Sequence, residues 1–571
     1  SDRPATEFTL QAWSGAIIGL GRGDPERPPV HVGGQVGEWL AGTYAAIAAL
    51  AAARAGTPGV VDLSMLEVQA LCLTYYPVTF HDFFGRPMRK RRALTLPGVA
   101  QAKDGLVGLG VGTGQQWLDF AAMVGHPEWA EDTGLFTERG ALAPAIAEWV
   151  GARTVDEVRD LATGFRLPNA PIVDGANVRT FDHLRERVGR PPVRWTPTGS
   201  APLSVARSGS PRPLADVRVL DMTAYWAGPS ASHVVAMLGA DVIHVESAKR
   251  PDGARLVGAP KDLERGPIFA AMNTNKRGVA IDFTTPEGQA ELRQLIAACD
   301  VVIENYTPRV LEQNGLGYDE LRAIRDDLIV VRMPGFGLDG PWRDNAAFAF
   351  IIEDASGLTA LTGHPDQLPV EPYCVGDSNA GLHAAYGLLA ALAHRDRTGE
   401  GCLVEAAMID AALSITVEQA IEFDTTGVAL QRAGNRGPLA DPQDLYACAD
   451  TDEYDRESAW VAIAAATDAQ RAALESVLGG ADLGEWCRER TADEVVDKVW
   501  AAGVPVGRVL HGHRQPELAP LIERCFFETL DHPVAGEARY STLPFRLPGS
   551  AGPIHRTPAP LLGQHNEDLI P

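Results

Sequence analysis

Short apolar runs alternate with helical stretches between residues 214 and 400. The pattern predicts strands at residues 217–222, 241–246, 301–305 and 328–332. It predicts helices that open at Gly228-Pro229-Ser230 and at Pro286-Glu287-Gly288, because proline suits the first helical turn. Further helices are predicted at residues 317–325 and 379–397. Strands that alternate with helices form βαβ units, so we predict an open, doubly wound, Rossmann-like parallel sheet of the α/β class.

The pattern changes beyond this sheet and in front of it. More helix surrounds residues 404–424, and strand-like residues 460–464 precede a small helical region. We therefore predict a smaller α+β domain at about 435–515. A Pro- and Ser-rich stretch at residues 196–213 is typical of a linker that leads into the α/β sheet.

Residues 1–195 repeat the later part of the chain, but they contain no counterpart of the α/β stretch 214–349. We expect one complete unit at 214–571 and the rear half of a second unit at 1–195. Whether the front of that second unit has been removed or is supplied by another polypeptide stays open. The paired segments are Ser14-Gly15-Ala16 with Ser356-Gly357-Leu358, residues 61–67 with 404–410, Glu148-Trp149 with Glu485-Trp486, and residues 153–158 with 490–495.

Composition and charge exclude several classes of partner. The net charge of −24 argues against nucleic acid and anionic membranes. Seven cysteines without a C-x-x-C pair argue against zinc and a disulfide framework, and they suit reduced thiols in a cytoplasmic protein. No apolar run reaches the ~18 residues of a membrane-spanning helix. No secretory signal is visible, although the chain begins at Ser1, so a lost targeting segment stays open.

An acid precedes a glycine by four residues at the mouth of an Ala- and Leu-rich helix in both copies. The later copy has Gly376-Asp377 with Gly381, and the earlier copy has Gly37-Glu38 with Gly42. One interpretation is that Asp377 caps the helix. The other is that free N–H groups at the helix start keep its carboxylate ionised and aimed, which makes it a competent nucleophile toward an acyl centre.

Three further motifs are less specific. Residues 108–114 look like a dinucleotide fingerprint, but the second copy has no glycines at 462–467, which favours a simple strand-to-helix turn. His511-Gly512-His513 lacks acidic or Cys partners at ligand spacing, which favours a surface loop over a metal site. Arg89-Lys90-Arg91-Arg92 suits a solvated loop, with a site for ligand phosphates as the alternative.

Eight segments of residues 213–571 stand in a specific order and spacing. They are Ala227-Gly228-Pro229, residues 238–243, Asn275-Lys276-Arg277, Glu304-Asn305-Tyr306, Gly335-Phe336-Gly337, Gly376-Asp377, residues 389–392 and residues 558–563. Together they resemble the class III CoA-transferase family (the carnitine CoA-transferase/formyl-CoA transferase group). Residues 1 to about 195 resemble the rear half of the same family unit.

The resemblance implies an acyl-CoA:carboxylate CoA-transferase whose catalytic aspartate is Asp377. In that mechanism the aspartate attacks the acyl-CoA thioester to give a mixed anhydride. The CoA thiolate returns to give an aspartyl-CoA thioester, and the acceptor carboxylate then takes over the CoA. Glu38 stands at the matching position of the incomplete copy, which we expect to be non-catalytic because its carboxylate sits one methylene further out.

The resemblance also implies CoA contacts, with coenzyme A entering as the acyl-CoA substrate and no metal. Ser247, Thr284 and Gln313 replace basic contacts of the family, and residues 434–437 replace its glycine-rich cover loop, which argues against formyl-CoA or oxalate. The aromatic Tyr225, Trp226 and Phe348 suggest a larger or more apolar acyl group. The implied contacts are Trp226, Ala227, Ser247, Ile281, Thr284, Asn305, Tyr306, Thr307, Gln313, Phe348 and Ala349.

Family subunits interlock and share their active sites, so we expect an internal pseudo-dimer or a homodimer in which residues 89–92 contact CoA phosphates. Three alternatives stay open. An α-methylacyl-CoA racemase of the same family has a histidine where Phe348 stands here. A fused CoA-transferase/lyase is a second alternative, and a non-catalytic CoA-binding scaffold is the third.

Overall fold

The structure is a computed structural model. It describes residues 3–22, 27–88, 92, 97–130, 139–196, 212–259, 261–372, 374–454, 458–549 and 552–570.

The first part of the chain, up to residue 196, is mostly helical. Its helices are α1 (Glu7–Ser14), α2 (Val36–Ala55), α3 (Met65–Cys72), α4 (Pro77–Phe84), α5 (Gly114–Val124), α6 (Ala143–Gly151), α7 (Val155–Gly164) and α8 (Asp182–Arg185). Its strands are β1 (Asp62–Leu63), β2 (Gly98–Gln101), β3 (Leu106–Leu109), β4 (Asn169–Pro171) and β5 (Arg194–Thr196).

The second part, from residue 212, carries the longer sheet. Its strands are β6 (Arg218–Met222), β7 (Asp241–Glu246), β8 (Lys276–Ala280), β9 (Val301–Glu304), β10 (Ile329–Arg332), β11 (Leu403–Glu405), β12 (Gln443–Thr451), β13 (Ser458–Ala464), β14 (Val506–Arg508), β15 (Phe527–His532), β16 (Gly536–Ser541) and β17 (Phe545–Arg546). Its helices are α9 (Ala227–Met237), α10 (Pro267–Met272), α11 (Pro286–Ala297), α12 (Pro308–Gln313), α13 (Tyr318–Ile324), α14 (Ala349–Ser356), α15 (Leu358–Leu361), α16 (Val375–Thr398), α17 (Met408–Thr426), α18 (Asp468–Leu478), α19 (Leu483–Arg488), α20 (Ala492–Ala501), α21 (Ala519–Glu523) and α22 (Asn566–Leu569).

The central sheet has seven strands in the order β5-β11-β10-β9-β6-β7-β8. Strands β6 to β11 are parallel, and the order reverses between β6 and β9, which is the topological switch point of a doubly wound sheet. The predicted α/β fold class is therefore confirmed. One local expectation was wrong, because residues 403–405 form strand β11, with α17 beginning only at Met408.

The two parts exchange strands. Strand β5 of the first part lies antiparallel to β11 of the second, and β1 of the first part lies antiparallel to β17 of the second. Two three-stranded antiparallel sheets, β2-β3-β4 and β12-β13-β14, share one strand order. This agreement supports the predicted repeat, while the duplication and its domain boundaries stay predictions. Residues 197–211 of the predicted linker lie outside the described residues.

Two helices that match in the predicted repeat, α2 and α16, pack against each other. Helix α16 is also covered by α9, and a Cβ added to Gly381 would lie 2.7 Å from the Ala227 carbonyl oxygen. A Cβ added to Gly42, the counterpart on α2, would meet no described atom within 4 Å. The expectation that no apolar run is long enough to span a bilayer was wrong for α2. Among the described residues, α2 alone has the length and hydropathy of a membrane span, and 44% of its apolar window is buried inside the protein.

Buried ion pairs join the two parts. The side chain of Arg187 is 1% exposed, and its Nη1 lies 2.8 Å from each carboxylate oxygen of Asp410. The Nη2 of Arg187 donates a hydrogen bond to the Asp339 carboxylate. A charge this deeply buried is tolerated because its partners satisfy it.

We predict that Arg187→Met destabilises the protein by about 3–5 kcal/mol, because the buried carboxylate of Asp410 loses its partner. Urea unfolding would measure the change. The double substitution with Asp410→Leu removes the stranded charge and should recover part of the loss. A change below ~1 kcal/mol in the single variant would contradict this account of the interface.

We also predict opposite effects for one substitution at two matched glycines. Gly381→Ala should destabilise by about 1–3 kcal/mol, since the new methyl group collides with α9. Gly42→Ala should stabilise by about 1 kcal/mol, since alanine is the better helix former and space is open there. Thermal unfolding of both variants checks the sign, and equal effects would contradict the packing described here.

Candidate active site

Asp377 lies in the first turn of α16, three residues after the N-cap residue Cys374. It is therefore not the N-cap, and Cys374 makes no side-chain cap hydrogen bond. Among the described residues none donates a hydrogen bond to the half-buried Asp377 carboxylate, and burial raises its pKa to about 7. The expectation that helix N–H groups keep this group ionised was wrong, because burial outweighs the helix start.

A second acid, on α14, binds the backbone at the start of α16. Glu353 of α14 is fully buried, and its Oε1 accepts a hydrogen bond from the Gly376 N–H at 3.0 Å. Burial, together with the neighbouring charges of Glu371 and Asp377, raises the pKa of Glu353 to about 8. At neutral pH, Glu353 is therefore mostly protonated.

The start of α16 is held by the first part of the chain. The Ser378 hydroxyl donates to the Cys72 carbonyl oxygen at 3.1 Å, and the Cys374 thiol donates to the same oxygen at 3.3 Å. Cys72 ends α3, which belongs to the predicted incomplete copy. The candidate nucleophile therefore sits at a contact between both parts.

Close backbone approach brings four predicted CoA contacts near Asp377. A Cβ on Gly376 would lie 2.6 Å from the Ala349 carbonyl oxygen, so Phe348 and Ala349 adjoin the first turn of α16. Trp226 and Ala227 start α9, which touches α16 at Gly381, one turn beyond Asp377. Glycine is required at both positions because any side chain would separate these helices.

Aromatic side chains form one wall of this region. The Trp226 ring lies 4.5 Å from that of Tyr75 and 5.3 Å from that of Tyr76. The rings of Tyr225 and Phe348 meet edge to face at 5.3 Å. Because Trp226 is 5% exposed, its ring is largely packed against the tyrosines of the first part.

The other predicted CoA contacts follow the carboxyl ends of β7, β8 and β9, on one edge of the sheet. At the switch point Asn305 exchanges two 2.9 Å hydrogen bonds with the backbone of Ala224, so it fixes the loop that leads to Trp226. Ile281 is 1% exposed and belongs to the core. The residues on this edge are Ser247, Ile281, Thr284, Asn305, Tyr306, Thr307 and Gln313.

The glycine-rich residues 108–114 connect β3 to α5, as the turn interpretation expects. Cβ atoms on Gly108, Gly110 and Gly112 would collide with Asp354, Phe350 and Phe348 respectively. These glycines therefore make room for the side chains around α14.

Only one residue of the basic run at 89–92 lies among the described residues. Arg89, Lys90 and Arg91 lie outside the described residues, while Arg92 is buried and donates to the Arg27 carbonyl oxygen at 2.7 Å.

The prediction of a surface loop at His511 and His513 was wrong. Their side chains are only 11% and 8% exposed, and His513 lies 2.9 Å from the Glu453 carboxylate. Sequence spacing did not predict this partner, because Glu453 follows β12 and lies about 60 residues before His513 in the chain. Among the described side chains, no group of three or more His, Cys, Asp and Glu could hold a metal ion.

A small cleft of about 90 Å³ lies between the two parts, and Pro372, just before the start of α16, is one of its walls. Most of its lining is apolar, and its walls include Tyr75, Met88, Pro372 and His513. No sequence pattern predicts this cleft, since its walls come from segments more than 400 residues apart.

The matching position in the first part has a different environment. Glu38 is exposed on α2, while the N–H of Gly37 is bound by Glu7 at 3.0 Å. Trp39, next to it, is 41% exposed. Each acid is thus the third residue of its own helix, but Glu38 is exposed whereas Asp377 is half-buried.

Comparison with known proteins agrees with this arrangement. The succinyl-CoA–D-citramalate CoA-transferase of Chloroflexus aurantiacus is 34% identical over 384 residues, covering 63% of this chain and 94% of that protein. The formyl-CoA:oxalate CoA-transferase of Streptomyces avermitilis is 30% identical over 390 residues, covering 62% and 94%. A CAIB/BAIF family protein from Brucella suis superposes with a TM-score of 0.55 at 27% identity, covering 62% of this chain and 96% of that one.

The model of CoA-transferase family III matches residues 1–201 and 214–566, so both parts of the chain are included. The resemblance found in the sequence is confirmed, and with it the prediction of a transferase enzyme. The chain belongs to CoA-transferase family III.

Proposed function

We propose that this protein moves coenzyme A from an acyl-CoA to a small carboxylic acid, with Asp377 as the nucleophile. The observation that carries the proposal is the position of Asp377, a half-buried carboxylate without a described donor. It lies at the start of α16, where α14 and α9 bring the implied CoA contacts Ala349 and Ala227 against the helix. A carboxylate that is aimed and not held by hydrogen bonds is available to attack an acyl carbon.

In the first half of the proposed reaction, a carboxylate oxygen of Asp377 attacks the thioester carbonyl carbon and the C–S bond breaks. The products are a mixed anhydride and the CoA thiolate. The thiolate then attacks the carboxyl carbon of Asp377, which releases the donor acid as a carboxylate and leaves an aspartyl-CoA thioester.

The second half reverses these steps with the acceptor. Its carboxylate attacks the aspartyl thioester carbon and expels the thiolate, which leaves an anhydride between Asp377 and the acceptor. The thiolate attacks the acceptor carbonyl, forms the new acyl-CoA and restores the Asp377 carboxylate. Every step exchanges one acyl bond for another, so the reaction needs no oxidant and no net proton.

Phe348 argues against the racemase alternative. Racemases of this family use a histidine at that position as an acid or base, whereas Phe348 packs its ring against Tyr225 and Phe350. A phenyl ring cannot move a proton from the substrate α-carbon. No observation in the structure favours the lyase alternative.

The lining of the cleft supports a donor with an apolar acyl group. Related enzymes are named for succinyl-CoA with D-citramalate and for formyl-CoA with oxalate. The mostly apolar lining of the cleft suits a hydrocarbon acyl group better than a formyl group. The first part of the chain lines this cleft, so we propose that it serves as the partner half of an internal pseudo-dimer.

We also propose a cytoplasmic location, in keeping with the cysteine chemistry. The seven cysteines are free thiols, six of them buried, which suits a reducing compartment.

We predict that Asp377→Asn lowers the rate of CoA transfer by on the order of 10⁴-fold or more, because the amide cannot form the anhydride. The matched variant Glu38→Gln changes the other acid of the repeat and should stay within about twofold of the wild type. Transfer from a panel of acyl-CoAs to labelled dicarboxylic acids measures both. An active Asp377→Asn enzyme would sink the proposal.

We predict a pH profile set by Asp377. Its pKa is raised to about 7, and only the ionised form attacks, so kcat/KM should fall about tenfold per pH unit below pH 7 and level off above it. An aspartate at its ordinary pKa would keep the rate flat down to about pH 4. Initial rates between pH 5 and 9 distinguish the two, and a flat profile to pH 5 would contradict the burial described here.

A further inference from the structure

The start of α16 is capped from outside its own sequence. Its N-cap residue Cys374 provides no side-chain cap, which leaves the first N–H groups of the helix without a local acceptor. Glu353 on α14 supplies one. Its Oε1 accepts from the Gly376 N–H at 3.0 Å, and a second backbone hydrogen bond runs from Val375. Because Glu353 is fully buried, no solvent competes for these bonds.

Other helices in this chain show what an acid at the position of Asp377 normally does. Asp377 is the third residue of its helix, the position called N3. In α7 the N3 residue Glu157 accepts from the Thr154 N–H at 2.9 Å, and in α20 the N3 residue Glu494 does the same with Thr491. Such capping boxes turn the acid back onto the backbone. They also lower its pKa, as happens at Glu494.

We propose that Glu353 is a positioning residue for the reaction: it takes the N–H groups at the start of α16, so that the Asp377 carboxylate stays turned away from the backbone and toward acyl-CoA. The proposal rests on the proposed function of Asp377. Glu353 binds the N–H groups of Val375 and Gly376, the two residues directly before Asp377, and so fixes the backbone from which the Asp377 side chain projects.

The charges around Glu353 are consistent with this role. The titratable groups facing it are Asp377 of α16, Glu371 of the segment before α16, and Asp354 of its own helix. All are acids, and burial raises the pKa of Glu353 to about 8. Glu353 therefore accepts through a neutral carboxyl at neutral pH, and it places no second negative charge beside the nucleophile.

The first part of the chain offers a matched control. Glu7 of α1 is buried, and its Oε1 accepts from the Gly37 N–H at 3.0 Å, which is the same bond at the start of α2. The acid that follows there is the exposed Glu38, which we place outside the reaction. A change at Glu7 thus removes a similar buried cap without touching the proposed nucleophile.

The test compares Glu353→Met, Glu353→Gln and Glu7→Met by kcat/KM between pH 4 and 9. Methionine fills the space of Glu353 but offers no oxygen, so Asp377 should fold back onto the free N–H groups. We expect Glu353→Met to lower kcat about 10- to 100-fold and to move the acidic limb of the profile from about pH 7 toward pH 4. Glu353→Gln keeps the acceptor oxygen and should retain both the rate and the limb.

Glu7→Met should leave the pH profile unchanged. If Glu353→Met does not fold, as judged by thermal unfolding, the same profile is measured on Glu353→Ala. An acidic limb that stays near pH 7 without the acceptor would overturn the proposal, and so would a Glu353→Gln enzyme as impaired as Glu353→Met. Failure of the proposed function itself is separate, because it would appear as activity in Asp377→Asn.

Discussion

The first turn of α16 is the constraint on which the rest of the structure depends. Two segments contact this turn, α14 at Gly376 and the end of α3 at the Ser378 hydroxyl, and α9 contacts the next turn at Gly381. These contacts leave space only for small side chains on either side of Asp377. The sheet edge, the aromatic wall and the cleft between the two parts are all placed around this one turn.

The architecture was largely predictable from sequence, and the environment of the acid was not. Apolar runs located four strands of the parallel sheet, and the order of strands and helices gave its class. Strand β11 was missed because three residues between helices carry almost no periodic signal. It becomes a strand only because β10 and β5 flank it with hydrogen-bonding backbone.

The site shows the same limit of sequence reasoning. Local pattern and family resemblance identified Asp377, because both depend on residues that lie close to it in the sequence. The Glu353 cap, the Cys72 contact and the pairing of His513 with Glu453 each join segments 23 to 306 residues apart along the chain. Such pairs depend on tertiary packing, which also reversed the expected effect of the helix start on the pKa of Asp377.

The central claim is that the carboxylate of Asp377 becomes covalently bound to acyl and CoA groups during transfer. Mass spectrometry of peptides from enzyme quenched during turnover with acyl-CoA tests it most directly. The account predicts a CoA or acyl adduct on the peptide that contains Asp377, and none on the peptide that contains Glu38. An adduct on Glu38, or full turnover with no adduct at any acid under conditions that trap thioesters, would contradict it.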